Sequence, residues 1–484
     1  MTVRTRYAPS PTGEPHLGNI RTALYDWLLA RHYGGRFILR IEDTDQERYV
    51  EGGIEAMMAA LRWLGLEWDE GPDKGGDFGP YVQSQRLETY QQHAQQLIDT
   101  DHAYRCYCSP QRLEEVRKAQ QARKEPPRYD RRCRELTPEQ GAESESSGAR
   151  PVVRFKTPLD GETVTHDELR GTVVFQNSTL DDFVILKSDG FPTYHLAAMV
   201  DDHLMEITHV LRGDEWLPSA PRHFLIYQAF GWEPPRFAHV SRILGPDRAK
   251  LSKRHGADSV LEYRLKGYLP DAVVNFLALL GWSLDDHTEI IERETLVKHF
   301  DVDRLLPNPA IFNAEKLLWM NGVYIRNLSD EELAVATMPY LEEALGKQVD
   351  HAILMRIIPL VKERIRLLTE IVEMADFFFV DGPLSYDAAS LLGKKYAGKP
   401  GEASEALKRV AAMAAEVSEW THAVLESAIR PLADEFGVKA GDLFGLVRVA
   451  VTGKSATPPL FETMEILGQE MTLQRLSAAI QKLR

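Results

Sequence analysis

The chain has 484 residues, 44% of them hydrophobic and 27% charged. That balance excludes fibrous and disordered classes and, at about 150 residues per domain, suggests roughly three folding units. The formal charge of −15, from 57 Lys and Arg against 72 Asp and Glu, argues against polyanion binding by the whole surface but leaves room for a local basic face. No run approaches the roughly 18 uncharged apolar residues of a membrane span, and the opening Met1-Thr-Val-Arg-Thr-Arg-Tyr7 lacks the apolar stretch of a signal peptide. Three cysteines are too few, and odd in number, for a disulfide framework, so the reading is cytoplasmic.

In chain order, residues 3–8 read as a short strand, Pro9 to Gly18 as a Pro/Gly-rich turn, and Ile20 to His32 as a helix from its apolar spacing. Arg36 to Ile41 is β-rich and Gly53 to Leu64 is helical again. The opening therefore predicts a β-α-β-α unit of the doubly wound kind with a nucleotide site at its first loop. From Arg105 to Arg134, ten basic residues stand against four acidic ones, which reads either as a solvated helix face or as a surface for phosphates. Gly141 to Gly148, Gly-Ala-Glu-Ser-Glu-Ser-Ser-Gly, reads as an exposed loop. Strand-like runs at Val152 to Phe155 and Thr172 to Phe175 look like an inserted subdomain, because Pro192 to Leu211 and His239 to Leu244 resume the α/β pattern. After about residue 325 the chain reads as helical, with loops at Asp381-Gly-Pro and Gly398-Lys-Pro-Gly401.

Two segments carry chemistry. The first loop, Ala8-Pro-Ser-Pro-Thr-Gly-Glu-Pro-His-Leu-Gly-Asn19, ends where a helix begins, so backbone N–H groups and a helix dipole face whatever anion sits there. Gly18 lets a ligand approach the backbone, and His16 can donate to a phosphate oxygen or simply cap the helix. Far downstream, Lys250-Leu-Ser-Lys-Arg-His255 puts two ammonium groups three residues apart on a Ser-containing loop, a compact donor set for polyphosphate or an ordinary surface turn.

Together these segments resemble the paired signatures of class I aminoacyl-tRNA synthetases, with His16-Leu-Gly-Asn19 for the first and Lys250-Leu-Ser-Lys-Arg254 for the second. Asn19 stands where the first signature is named for a His. Ala8-Pro-Ser-Pro-Thr-Gly13, Arg40-Ile-Glu-Asp-Thr-Asp45, Pro192-Thr-Tyr-His195, Val200-Asp-Asp202 and Trp319-Met-Asn321 are similar to the bacterial glutamyl-tRNA synthetase family. Val447-Arg-Val-Ala-Val-Thr-Gly453 and Pro459-Leu-Phe461 resemble that family's helical anticodon-binding region, so the likeness runs end to end.

The resemblance implies an α/β Rossmann-type catalytic domain with an inserted α+β subdomain, followed by an all-α C-terminal anticodon-binding region. In this sequence the catalytic domain would be split over residues 1–110 and 190–245, with an acceptor-stem-binding insertion at 111–189. A stem-contact region carrying the Lys-Leu-Ser-Lys-Arg loop would cover 246–325 and the anticodon-binding helices 326–484. The implied reaction is activation of L-glutamate by ATP and transfer of the glutamyl group to the 3′ end of tRNA-Glu, with tRNA-Gln left open as a second acceptor. His16, Lys250 and Lys253 would be catalytic; Pro15, His16, Gly18, Asn19, Lys250, Ser252 and Lys253 would bind ATP. Glutamate would lie against Arg6, Ala8, Ser10, Glu42, Tyr194 and Arg212, because two carboxylates and one ammonium call for two cations and one anion. Mg2+ is expected with the triphosphate, whose charge exceeds what two lysines offset. Cys106, Cys108 and Cys133 match the spacing of a zinc site found in some members, with Glu135 where those members carry a histidine; three free thiols are the alternative. The chain is read as a monomer without a membrane partner. The rival reading is a catalytically silent tRNA-binding protein on the same scaffold, against which stand His16, Lys250 and Lys253.

Overall fold

The computed structural model describes residues 2–13, 15–252, 254 and 259–484. It packs as two compact units, Met1–Arg264 with Val273–Ala314, and Leu265–Ala272 with Glu315–Arg484.

The first unit opens with β1 (Arg4–Tyr7), α1 (Leu17–His32), β2 (Arg36–Leu39) and α2 (Gly53–Trp63). β1 and β2 pair in parallel from Arg4–Arg36 to Tyr7–Leu39. α1 carries apolar residues on every side and is buried along nearly its whole length, from Leu17 and Ile20 to Leu29 and Ala30, as a crossover helix covered by both sheet and neighbours must be. Arg31 and His32 occupy its last turn, where cations suit the negative end of the helix dipole.

The chain continues through α3 (Leu87–Asp99), β3 (Ala103–Cys106), α4 (Pro110–Ala122), α5 (Pro138–Ser146), β4 (Val152–Phe155), β5 (Glu162–Asp167), β6 (Gly171–Gln176), β7 (Val184–Leu186), α6 (Tyr194–Leu204), β8 (His209–Gly213), α7 (Ala220–Phe230) and β9 (Arg236–Val240). β8 abuts β1, where the Thr208 N–H donates to the Arg4 carbonyl at 2.9 Å. β8 and β9 are parallel, with Arg212 opposite His239, and β5 runs parallel to β9 with β6 as its antiparallel hairpin partner. Alternation along β5 turns Thr163, Thr165 and Asp167 inward and Glu162, Val164 and His166 outward. A separate antiparallel sheet joins β3, β4 and β7, so the strand before residue 110 belongs with the insertion, whereas β5 and β6 extend the sheet that carries β8 and β9.

One expected loop is a helix. α5 covers Pro138–Ser146, most of the polar Gly141–Gly148 stretch, because Thr137 and Gln140 form a reciprocal capping box and Pro138 occupies the first turn. None of its residues is buried, so local capping rather than an apolar face specifies it. Similarly, Pro400 and Gly401 open the helix Pro400–Glu416 instead of closing a loop.

The second unit is helical from Glu315 on, among its described residues. It holds two apolar clusters, one spanning Ile325 to Phe379 and one spanning Leu391 to Leu483. The Arg475 guanidinium, 1% exposed, donates to the carbonyls of Phe377, Val380 and Val451 at 2.6–2.8 Å. With the Gly382 carbonyl at 3.3 Å from Nε, four acceptors replace the water that a buried charge would lose. No helix among the described residues is long and apolar enough to cross a membrane.

Candidate active site

His16 is the N-cap of α1, its Nδ1 accepting from the Asn19 N–H at 3.4 Å. With Nδ1 an acceptor, the neutral ring carries its proton on Nε2, which faces away from the cap as a donor. A Cβ at Gly18 would stand 3.2 Å from that Nδ1, so a larger residue would press on the ring. The first loop meets the chain just past the lysine loop. His16 bridges to Ser259, and the Val260 N–H donates to the Pro15 carbonyl. Loss of solvent around the ring, then the Lys250 ammonium, lower the His16 pKa, which keeps Nε2 a neutral donor. Lys250 itself is exposed and bridges to Leu244. Lys253 lies outside the described residues.

Beside this loop pair, β1, β2, β8 and α6 bring together charged groups that are distant in sequence. Arg6 donates to Asp202 through Nε at 3.0 Å and Nη2 at 3.4 Å. Arg40 donates to Asp202 at 2.8 Å and to Glu42 at 2.9 Å. The adjacent Asp201 accepts from Arg86, Gln83 and Tyr90 at 2.8–2.9 Å. Burial raises the Glu42 pKa against the opposing pull of Arg40 and Arg6. Burial also pushes Asp26 well above the ordinary carboxyl value, favouring its neutral form. Of the four guanidiniums here, Arg6, Arg40 and Arg86 are paired with Asp202, Glu42 and Asp201, whereas Arg212 touches no carboxylate among the described residues, which suits an acidic ligand.

Arg212 completes the pocket. It is 5% exposed and donates to His239 Nε2 at 2.9 Å, His223 Nδ1 at 3.0 Å and Tyr194 Oη at 3.3 Å. Its Nη2 is buried with no hydrogen-bond partner among the described residues, which is costly unless a ligand fills the position. Trp216 covers Tyr194, ring centroids 4.3 Å apart, rather than standing open. Ser10 and Ala8 line the loop between β1 and α1; the Pro9 carbonyl between them accepts from the Glu42 N–H at 2.9 Å, tying the loop to the end of β2. The structure thus gathers Arg6, Glu42, Tyr194 and Arg212 in one place and sets His16 and Lys250 in another, each by backbone pairing.

Sequence reasoning assigned no role to Asp202, Arg40, His223, His239 or Asp167. The signal for the first two is a charge inside an apolar run, as in Phe37-Ile-Leu-Arg40-Ile41 and Leu196-Ala-Ala-Met-Val-Asp-Asp202.

In the insertion, Cys106, Cys108 and Cys133 form a group whose sulfur atoms lie within 4.8 Å of one another. Glu135 does not join them: its side chain is 88% exposed and lies 3.9 Å from the Arg134 guanidinium, because the turn after Cys133 points it to solvent. In its place the Tyr129 hydroxyl sits 3.2 Å from Cys106 Sγ and 3.5 Å from Cys108 Sγ and accepts from the Cys133 N–H at 3.0 Å. Arg112 reaches Cys108 Sγ at 3.4 Å and Arg154 lies 3.9 Å over the Tyr129 ring, two cations that favour thiolates. Within the basic window, Arg131 and Arg134 are turned onto fully buried Asp182 at 3.5 and 3.0 Å. Arg105, Arg117, Lys118, Arg123, Lys124 and Arg132 remain exposed.

A parallel sheet with a capped loop at its first helix, the segment after the lysine loop paired to it and a buried arginine-lined pocket is the arrangement of a class I tRNA synthetase. The family model of the class I (E and Q) tRNA synthetase catalytic domain matches residues 2–319, and that of an anticodon binding domain matches residues 332–480. The chain belongs to the glutamate–tRNA ligase family. It is 53% identical to the glutamate–tRNA ligase of Dehalococcoides mccartyi, over 99% of this chain and 98% of that one. It is 46% identical to that of Moorella thermoacetica, over 100% and 99%. Among solved structures, the Elizabethkingia meningosepticum glutamate tRNA ligase, crystallised in complex with its amino acid, superposes with a TM-score of 0.88 at 37% identity over 100% of both chains. The Elizabethkingia anophelis glutamate-tRNA synthetase gives 0.85 at 38% identity, over 99% of this chain and 100% of that one.

Proposed function

We propose that this chain activates L-glutamate with ATP and transfers it to the 3′ end of tRNA-Glu, and that the pocket around Arg212 receives the amino acid. The observation that carries the assignment is the buried Arg212 Nη2 with no partner among the described residues, beside Arg6, Glu42 and Tyr194. Arg6 and Arg212 face the two carboxylates, Glu42 faces the ammonium, and Ala8 and Ser10 form the wall toward the first loop. Pro15, His16, Gly18, Asn19, Lys250, Ser252 and Lys253 hold ATP.

A glutamate carboxylate is already a nucleophile at neutral pH, so the protein positions it against the α-phosphate and offsets charge on the phosphate oxygens. His16 donates from Nε2, and Lys250 and Lys253 supply positive charge; Mg2+ bound to the triphosphate would supply the remaining charge neutralisation. Lys253→Ala should lower ATP–pyrophosphate exchange by about 10² to 10³ or more, the effect of one lost preorganised donor, while tRNA binding stays near that of the parent. Exchange within a few fold of the parent would remove Lys253 from catalysis.

The insertion, read as 111–189, carries its exposed cations toward acceptor-stem phosphates. Residues 246–325 form the stem-contact region and 326–484 the anticodon-binding region. Lys362, one basic residue of the Lys362-Glu-Arg-Ile-Arg366 run, is drawn to Asp330 at 3.2 Å, while Arg364 and Arg366 are exposed and suited to RNA. Cys106, Cys108 and Cys133 with Tyr129 hold a structural zinc ion, their summed negative charge balanced by Arg112 and Arg154. Protein purified without chelators should carry about one zinc per chain, and Tyr129→Phe should lose it faster to a chelator; metal analysis showing none, even after reconstitution, overturns the site. Three unpaired cysteines suit a reducing cytoplasm, where we take the chain to act as a monomer.

A further inference from the structure

Beneath the substrate pocket runs a chain of hydrogen bonds that the reaction itself does not use. Asp167 on β5 meets His239 Nδ1 on β9 at 2.6 Å, and His239 Nε2 meets Arg212 Nε on β8 at 2.9 Å. On the other side, Arg212 Nη1 meets His223 Nδ1 on α7 at 3.0 Å, and His223 Nε2 meets His195 Nδ1 on α6 at 3.0 Å. A guanidinium has five donors and no acceptor, so both nitrogens facing it must carry lone pairs. This fixes every tautomer. His239 donates from Nδ1 to Asp167, and His223 donates from Nε2 to His195.

We propose that His239 and His223, oriented by Asp167 and His195, are positioning residues that lock the Arg212 guanidinium and thereby make the pocket select a side-chain carboxylate over an amide. The proposal rests on the reading that Arg212 holds the amino acid. Locking consumes Nε and Nη1 and leaves Nη2, buried without a partner among the described residues, for the ligand. It also settles Tyr194. Because its oxygen accepts from Arg212 at 3.3 Å, its own proton is available to the ligand, and Arg212 and Tyr194 together present two donors to the side-chain group. A carboxylate matches both; an amide must set its NH2 against one of them. The imidazoles stay neutral lone-pair acceptors because burial and then, for His223, Arg212 lower their pKa. Burial and the Arg222 and Arg212 charges bring His195 to about 4.

The two histidines present opposite nitrogens to Arg212, and that yields a crossed test. Glutamine places its amide oxygen near the Nε2 position and asparagine near Nδ1. His239→Gln and His223→Asn therefore keep an acceptor for Arg212, while His239→Asn and His223→Gln remove it. Asp167 is not orphaned in either case, since it also accepts from the backbone N–H groups of Leu169, Arg170 and residue 239.

Amino-acid-dependent ATP–pyrophosphate exchange in the presence of tRNA-Glu should show glutamate KM within about threefold of the parent for the first pair. The second pair should show it raised about tenfold or more, with a smaller glutamate-to-glutamine ratio of kcat/KM and an ATP KM changed less than about twofold. Equal behaviour of Asn and Gln at both positions, which simple packing would give, overturns the proposal, as does the reverse pattern. The positions lie on different elements, so a variant that fails to fold, judged by its Tm, leaves the other pair decisive. Arg212→Ala separates the two levels: an unchanged glutamate KM there overturns the underlying site reading, whereas a raised KM with uncrossed histidine variants overturns only the positioning claim.

Discussion

Arg212→Ala is expected to lower kcat/KM for glutamate by roughly 10² to 10³, equivalent to about 3–4 kcal/mol, with little change in the KM for ATP. The size follows from what the side chain does. Its Nη2 is a buried, charged donor without a hydrogen-bond partner among the described residues, and hydrogen bonds from a charged donor to a carboxylate are worth about 1.5–3 kcal/mol each. Without the guanidinium the substrate's negative charge would enter a pocket still lined by Glu42, Asp201 and Asp202, with one cation fewer to offset them. Arg212→Lys should recover little, because one ammonium cannot reach His239, His223 and Tyr194 together with the ligand. Glutamate titrations of ATP–pyrophosphate exchange decide it. A kcat/KM within a few fold of the parent in the alanine variant would move the amino acid elsewhere.

Local signals in the sequence carry the opening of the fold. Proline and glycine punctuate residues 9–18, the apolar spacing of Ile20–His32 marks α1, and the observed strand and helices begin within a few residues of those limits. Where a helix has no apolar face the signal vanishes. α5 is written by Thr137, Pro138 and Gln140 alone, and a Ser/Glu-rich run looks like a loop to any argument from burial. The arginine-lined pocket was legible in part. Charge complementarity to an amino acid with two carboxylates called for arginines, and the family resemblance, not the spacing, singled out Arg6, Glu42, Tyr194 and Arg212. The partners that hold them were not legible, because pairing creates them: Asp167 and His239 are 72 residues apart and meet only when β5 and β9 lie side by side. The cysteine spacing was informative for the same reason that it was incomplete. Three thiols at fixed intervals announce a cluster, but nothing in the interval marks Tyr129, and counting two places beyond Cys133 selects Glu135, whose side chain is in solvent.

Asp202→Ala is expected to be strongly destabilising, by about 3–5 kcal/mol, because it strands the buried Arg6 guanidinium and removes one of the carboxylates that hold Arg40. Arg6 and Arg40 are 4% and 0% exposed, and both donate to the same Asp202 oxygen at 3.0 and 2.8 Å. Arg40 would keep Glu42 at 2.9 Å and Asp201 at 3.7 Å, but Arg6 would lose the carboxylate it is paired with, and the repulsion between Arg6 and Arg40 that Asp202 screens would act in a medium without water. A fall in Tm of roughly 5–15 °C follows for a unit of this size. Glu125→Gln, which breaks the exposed Arg123–Glu125 pair, should leave Tm unchanged, since such pairs contribute little in water. The pH dependence has a definite sign. Burial would raise the Asp202 carboxyl, but Arg6 and Arg40 outweigh it and hold the group below the ordinary aspartate value. Its stabilising contribution is therefore complete above the unfolded aspartate pKa of about 4 and is lost as pH falls through the lower folded value. Glu42 has the opposite sign: its raised pKa means that its burial costs stability as pH climbs above about 4. The Tm gap between Asp202→Ala and the parent should accordingly be constant from neutral pH down to about 4 and narrow only below it. A gap that closes between pH 7 and 5 would show that Asp202 is not the carboxylate holding the two arginines.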